Sequence, residues 1–312
     1  MINQGFESRQ KKVYNDEGYV IFKSLVPTHK IDLILADLEK FKKFKYPYYS
    51  QSIHTWIRPL FSSNGFLEES MSDFTKLYLN CGLTQSGLNV LLGEEINSAL
   101  QIINPKARRF VQWQNMLFDQ SVGTVDHYDS YYLDTIPQGH LIGAWVALED
   151  IDERCGPFKV YPKSHKLFKE NQLNQLPVDE FWRECKKFSS QNERKLALLK
   201  KGDVLFWHPS LIHGSEEQKD DAYSRKSLTA HYYPFGYGRK GDLFNKISKV
   251  KKGIRMLLTE ERPVVVKDYP IFYLNGKYST FRYNRNGLKK YLANVIRGQN
   301  DVYMDMKRKN QK

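Results

Sequence analysis

Residues 202–215 read GDVLFWHPSLIHGS. Gly202-Asp203 has the composition of a turn, Val204–Trp207 that of a strand, and His213 follows beyond the break at Pro209. The same grammar recurs on both sides. RFVQWQNMLF (109–118), HLIGAWVAL (140–148), PFKVYP (157–162) and SLTAHYYP (227–234) are short, rich in aromatic and β-branched residues, and mostly separated by SVG, PQG, CGP or KKGD. Many short strands at such spacing predict a β-sandwich or barrel. The expected fold class is mainly β with flanking helices.

The flanks differ in texture. Residues 7–16 have a helical pattern, and GYVIFKSLVP reads as a short strand ending at Pro27. Thr28 is placed to cap a helix running to about Lys45, with apolar positions Ile31, Leu33, Ile34, Leu35, Leu38 and Phe41. Helical pattern returns at 67–80 and at 86–103, where Gly93 marks a break, and a short helix is expected at 177–187. Near the end, 269–283 (YPIFYLNGKYSTFRY) predicts a hairpin across Asn275-Gly276, and 286–297 a helix. The chain of 312 residues is read as a single domain: a helical part over 1–108, a β core over 109–235, and an extension over 236–312 expected to pack on that core, because no linker frees it.

Composition narrows the class. The hydrophobic fraction of 41% supports a real core, and the longest apolar run, Leu141–Leu148, is too short to span a bilayer. MINQGFESRQKK has no apolar core of a secretory signal, and Cys81, Cys155 and Cys185 form neither a zinc pattern nor a disulfide framework. A reduced, cytoplasmic protein is expected. The net charge of +13 is uneven: residues 236–312 hold 19 Lys+Arg against 6 Asp+Glu, which leaves 29 of each in the rest. Such a skew attracts anions, whether nucleic acid, CoA-linked substrates, an acidic carrier protein or a membrane surface; otherwise it is a solvated basic tail.

A second stretch, VDHYDS at 125–130, acquires meaning inside this β frame. Residues two apart on a strand share a face, so His127 and Asp129 point together while Asp126 and Tyr128 point away. His213 supplies a second imidazole, with His208 its competitor five residues earlier. Arg225 and Ser227 follow two apart on the next strand. Two neutral imidazoles and one carboxylate on one face of Fe(II) leave three adjacent positions open. Two suit the 2-oxo acid group of 2-oxoglutarate and the third O2. The planar guanidinium of Arg225 suits the far carboxylate, with the Ser227 hydroxyl adding a bond.

The stretches TVDHYD (124–129), GAWVALEDIDERCGPFKVYPKSHK (143–166), GDVLFWHPSLIHGS (202–215) and SRKSLTAHY (224–232) resemble the phytanoyl-CoA dioxygenase family of Fe(II)/2-oxoglutarate oxygenases, with a weaker echo in GYVIFKSL (18–25). The resemblance covers roughly residues 109–234. It implies a double-stranded β-helix (a cupin-like jelly roll), metal ligands His127, Asp129 and His213, Arg225 as the 2-oxoglutarate anchor, and Trp145 and Ser215 near the co-substrate. Two departures stand out. Lys163 occupies the usual glycine of Pro-Gly-Ser-His, which bears on that turn, and Asp119 stands near where relatives often carry a lysine touching 2-oxoglutarate. In related halogenases the acid of His-x-Asp is a small residue; here Asp129 is intact, so hydroxylation or another C–H oxidation is expected, with no catalytic residue beyond the metal ligands.

Around this centre, Gln112 and Gln114 lie on a strand that should line the barrel, and one of them is a candidate substrate contact. Tyr131 and Tyr132 are candidates for the pocket mouth, and 165–200 for a lid. His140, His165 and His231 are read as structural. The leading expectation is a hydroxylase of a small molecule, with anionic or carrier-linked compounds as candidates given the basic C-terminus. The alternatives are a non-catalytic jelly roll with a polyanion-binding C-terminus, and an oxygenase acting on nucleic acid. The latter is disfavoured because no recognised module accompanies the basic segment.

Overall fold

The computed structural model describes residues 4–73, 77, 82–167 and 176–240, with the backbone of three further strands at 264–266, 272–274 and 277–279. In chain order the elements are α1 (Gln4–Glu17), β1 (Tyr19–Phe22), α2 (Thr28–Phe44), β2 (Tyr48–Tyr49), β3 (Trp56–Ile57), β4 (Met71–Ser72), α3 (Gly82–Leu91) and α4 (Glu94–Ile103). There follow β5 (Phe110–Phe118), β6 (Thr135–Ile136), β7 (Ile142–Ala147), β8 (Phe158–Val160), α5 (Val178–Gln191), β9 (Lys195–Leu196), β10 (Val204–Trp207), β11 (His213–Ser215), β12 (Ser227–Pro234), β13 (Gly238–Arg239), β14 (Val264–Val266), β15 (Phe272–Leu274) and β16 (Lys277–Ser279).

The large sheet runs β1-β10-β7-β12-β5-β14, with β4 also on β5, and a smaller sheet runs β11-β8-β9. Pairing is antiparallel throughout both except where β14 joins β5 in parallel. Both faces of the large sheet are covered, which is why its strands read as nearly continuous apolar runs. One face (Val20, Phe22, Ala144, Val146, Val204, Phe206, Leu228, Ala230, Tyr232) packs on Ile31, Ile34, Leu38 and Phe41 of α2 and on the apolar stripes of α3 and α4. Each fully buried Val, Leu, Ile or Phe among them contributes about 1.5–3 kcal/mol. The alternate residues Trp145, Ala147, Leu205 and Trp207 turn inward toward Phe158 and Val160 of the small sheet. Phe158 stacks on Trp145 with ring centroids 5.4 Å apart. Two sheets closed face to face in this way make the jelly roll.

Several local expectations are met. α1, α2 and α5 lie close to their predicted spans, and Gly93 separates α3 from α4 as the residue preceding the latter. Others are corrected. Pro27, not Thr28, occupies the cap position of α2, and no side chain bonds the free amides there. Leu33 falls off the buried stripe and is 58% exposed. The helix expected over 67–80 is not formed in its described part: Leu67 bridges to Phe61 and Met71–Ser72 pair with β5. Tertiary pairing with the open edge of β5 outweighs helical pattern there. In the C-terminal segment β15 and β16 pair antiparallel with Leu274 opposite Lys277, the spacing of a two-residue hairpin. The helix expected at 286–297 lies outside the described residues.

Candidate active site

His127 reaches the centre through a single antiparallel bridge to β11: its amide donates to the His213 carbonyl at 2.9 Å, and its carbonyl accepts from the His213 amide at 2.8 Å. The bridge sets the two imidazoles side by side, with centroids 4.4 Å apart. Gly214 makes the approach possible, since a Cβ there would lie 2.5 Å from Asp126 Oδ1 and 2.9 Å from the Thr124 carbonyl. Tyr128 is extended (φ −128°, ψ 143°), and Asp129 then opens a single 3-10 turn, Asp129–Tyr131. His127 and Asp129 do share a side, as expected, but through one extended residue entering a turn rather than through a regular strand. Asp126 points away, accepting from the Tyr161 hydroxyl at 2.8 Å and pairing with Lys159 at 3.1 Å.

Both imidazoles are oriented by the backbone. Nδ1–H of His127 donates to the Val125 carbonyl at 2.7 Å, and Nδ1–H of His213 to Leu211 at 2.9 Å. That tautomer leaves each Nε2 lone pair free. Each Nε2 lies 3.7 Å from Asp129 Oδ1. Among the described residues, His127, Asp129 and His213 form the one group whose ligand atoms all fall within 4.8 Å of one another. Burial pushes the His213 pKa down to about 4. Burial works against the charged form of Asp129, yet His231, His213 and His127 hold its carboxyl well below the usual range. Near neutral pH the buried imidazole is thus neutral and the carboxylate charged, the donor set that suits Fe(II).

Two residues not singled out from the sequence complete the arrangement. Asp129 Oδ2 accepts from Trp207 Nε1 at 2.7 Å and from His231 Nε2 at 3.2 Å. From the sequence alone His231 reads as structural. Its position two strand repeats beyond Ser227, on the same face as Thr229, was the available signal; Trp207 carried none. Gln114 meets His231 Nδ1 at 3.3 Å. Gln112 lies instead opposite Tyr232, whose hydroxyl bonds to Leu91 of α3, and it receives the Asn115 amide. A register shift between Ala230 and Tyr232 separates the two glutamines onto opposite faces, so only Gln114 is brought to the site.

Arg225 is 2% exposed. One Nη donates to the Gly156 carbonyl at 3.2 Å, while Nε is buried with no partner. No acidic side chain pairs with it among the described residues. Its guanidinium lies over Phe118 at 5.1 Å and Trp145 at 5.9 Å, and burial draws its pKa down to about 10. A dry cation with an unused donor in the barrel fits an incoming carboxylate, such as the far end of 2-oxoglutarate. Ser227 adjoins it, but its hydroxyl donates to the Arg225 carbonyl at 3.4 Å. Ser215 Oγ accepts from the Thr124 amide at 2.7 Å. Asp119 is buried against Lys42 at 3.1 Å and takes the Leu67 amide. His208 is not part of the grouped ligand atoms and packs beside His165 and Tyr14. Lys163 adopts φ 67°, ψ −2°, so the turn keeps a left-handed geometry despite the missing glycine.

Beside His127 and Asp129 lies α5. Tyr131, on the same turn as Asp129, stacks on Phe181 at 3.9 Å and donates its hydroxyl to the Leu176 carbonyl at 2.8 Å. Trp182 lies 6.2 Å from His127 and 6.3 Å from Tyr132, itself 46% exposed. Lys240, following β13, bonds the carbonyls of Ser130 (2.9 Å) and Tyr131 (2.6 Å).

Comparison with known proteins agrees with this fold. Bovine peroxisomal phytanoyl-CoA dioxygenase is 32% identical over 111 residues, 34% of this chain and 32% of that protein. The rat enzyme of the same name is 24% identical over 244 residues, 74% of this chain and 69% of that protein. The match thus spans about a third of the bovine relative's length. The fold is shared with the epimerase SnoN, solved with Fe3+, α-ketoglutarate and nogalamycin RO (TM-score 0.57, 18% identity, 75% of this chain and 86% of that one). It is shared also with EctD from S. alaskensis, solved with 2-oxoglutarate and 5-hydroxyectoine (TM-score 0.51, 13% identity, 73% and 76%). The family profile for phytanoyl-CoA dioxygenase (PhyH) matches residues 14–227, from within α1 to the first residue of β12, and the chain belongs to that family.

Proposed function

We propose that this chain is an Fe(II)- and 2-oxoglutarate-dependent dioxygenase that hydroxylates an unactivated C–H bond of a small metabolite, with release of succinate and CO2. The observation that carries the reading is the pairing of two features: a convergent His127–Asp129–His213 set, and a buried Arg225 whose Nε has no partner among the described residues. Iron with 2-oxoglutarate and O2 supplies the oxidant when bound. The chain does the rest. His127 and His213 present Nε2, Asp129 presents Oδ1, and Arg225 holds the far carboxylate of the co-substrate between Phe118 and Trp145. Ser227 and Ser215 border that pocket. Above His127, Trp182 and the turn-borne Tyr131 and Tyr132 exclude water and wall the approach, with Gln114 on the opposite strand as a substrate contact.

An anionic or carrier-linked substrate is supported by the basic excess of residues 236–312. A cytoplasmic location is supported by the three scattered cysteines, two of them free and buried. Its mammalian relatives are named as peroxisomal. No helix among the described residues is long and apolar enough to cross a membrane. A vestigial binding protein is disfavoured because a decaying site loses ligands first, and here all three remain. The test is anaerobic addition of Fe(II) and 2-oxoglutarate, read by the visible metal-to-ligand charge-transfer band. The band should form in wild type and vanish or weaken in Asp129→Ala and Arg225→Ala; its absence from folded, iron-supplied wild type would sink the proposal. Substrates are then sought by stimulated succinate release.

A further inference from the structure

A carboxylate can bind a metal through one oxygen or both. In a centre with two histidines and one acid the difference decides function: a chelating Asp129 takes a fourth position and leaves too few for a bidentate 2-oxo acid and O2 together. Something must therefore keep one oxygen off the metal. Oδ2 of Asp129 is held by two donors, the Trp207 indole at 2.7 Å and His231 Nε2 at 3.2 Å, while Oδ1 faces both ligand histidines.

The bonding roles follow from chemistry. A carboxylate only accepts, so His231 Nε2 must carry the proton. Gln114 Nε2, which can only donate, lies 3.3 Å from Nδ1, so Nδ1 accepts that bond. Gln114 has no other side-chain partner among the described residues, so its bond to His231 fixes that tautomer. The sheet is shaped to admit both donors. Gly143 is paired with Trp207 on one side and His231 on the other. A Cβ at 143 would lie 2.0 Å from the Trp207 indole, so only glycine lets this ring lie across the strand. The two rings then meet edge to face, with centroids 5.6 Å apart.

We infer that His231, oriented by Gln114, is a positioning residue for the iron centre: with Trp207, seated over Gly143, it occupies Oδ2 of Asp129 and restricts the carboxylate to one-oxygen ligation. The inference rests on the proposed function above. Removing outer partners of metal ligands weakens metal affinity by roughly 10- to 100-fold.

The test uses Co(II) as a spectroscopic probe titrated into the full-length protein, with far-UV circular dichroism and thermal melting as controls. His231→Leu should bind Co(II) roughly 10- to 100-fold more weakly, with altered d–d bands, at a wild-type fold. His231→Gln, which can restore an N–H donor, should recover part of both. Gln114→Leu, which touches Asp129 only through His231, should shift the bands in the same direction with a smaller loss of affinity. Wild-type affinity and spectrum in both His231→Leu and Gln114→Leu would overturn the inference. So would a loss in His231→Leu that Gln does not relieve and Gln114→Leu does not share, because the effect would then be one of packing. Failure of wild type to bind Co(II) in a manner dependent on Asp129 would instead overturn the functional reading beneath it.

Discussion

Replacing Arg225 by methionine should separate two quantities that normally fall together. The guanidinium is fully enclosed, and burial draws its pKa from 12.5 down to about 10, which corresponds to about 3 kcal/mol against the charged form. The folded value lies below the unfolded one, so this penalty is present at every pH below about 10 and applies in full at neutral pH. Opposing it are one charge-assisted bond to Gly156, about 1.5–3 kcal/mol, and the contacts with Phe118 and Trp145, about 0.5–1 kcal/mol each. The terms nearly cancel. Methionine fills similar volume without charge, so the metal-free, co-substrate-free variant should melt within about 1 kcal/mol of wild type, a few degrees at most. Co-substrate binding should behave differently. Losing a paired guanidinium–carboxylate contact removes about 3–5 kcal/mol, a roughly 10²- to 10⁴-fold loss of 2-oxoglutarate affinity. Melting curves with and without Mn(II) and 2-oxoglutarate read both, since ligand at 100 times Kd adds about 2.7 kcal/mol to wild type. A variant destabilised by more than about 3 kcal/mol without ligand would mean the cation is structurally paired. One that keeps the full ligand-induced rise would mean it is not the anchor.

Three further outcomes follow from the geometry. Burial holds the pKa of His213 at about 4 and of His208 at about 3, below the ordinary value of 6.5, so each neutral ring contributes stability that is complete above pH 6.5 and is lost as pH falls. The metal-free protein should lose about 1.4 kcal/mol per pH unit per histidine between pH 6.5 and 4, and His208→Gln should roughly halve that slope in denaturant titrations. Tyr131→Ala removes the Phe181 stack and the bond to Leu176; it should free α5 locally, at about 2–4 kcal/mol, so limited proteolysis should cut within 176–191 while the global melt changes little. An unchanged cleavage pattern would show that α5 is held elsewhere. Lys163→Gly relieves a left-handed residue at the expense of one exposed pair with Glu17 at 3.4 Å, and should raise stability by about 0.5–1 kcal/mol in chemical denaturation.

Much of the candidate site was legible because metal ligation fixes residue type and order. His127, Asp129 and His213 stand in sequence contexts that few other roles require, and Arg225 follows on the next strand; the β core showed in the short aromatic-rich segments around them. What stayed hidden depends on neighbours in space. The stretch 67–73 carries helical pattern, but an open strand edge recruits it. Gln112 and Gln114 look equivalent by spacing until one bulge turns them to opposite faces. His231 and Trp207 look like core residues until the empty surface of Gly143 lets both reach one oxygen of Asp129. The sequence by itself determined which groups could bind iron and an anion, because chemical identity is local. The tertiary structure decided which oxygen, which tautomer and which glutamine take part, because a hydrogen bond exists only where folding brings a donor within about 3 Å of an acceptor.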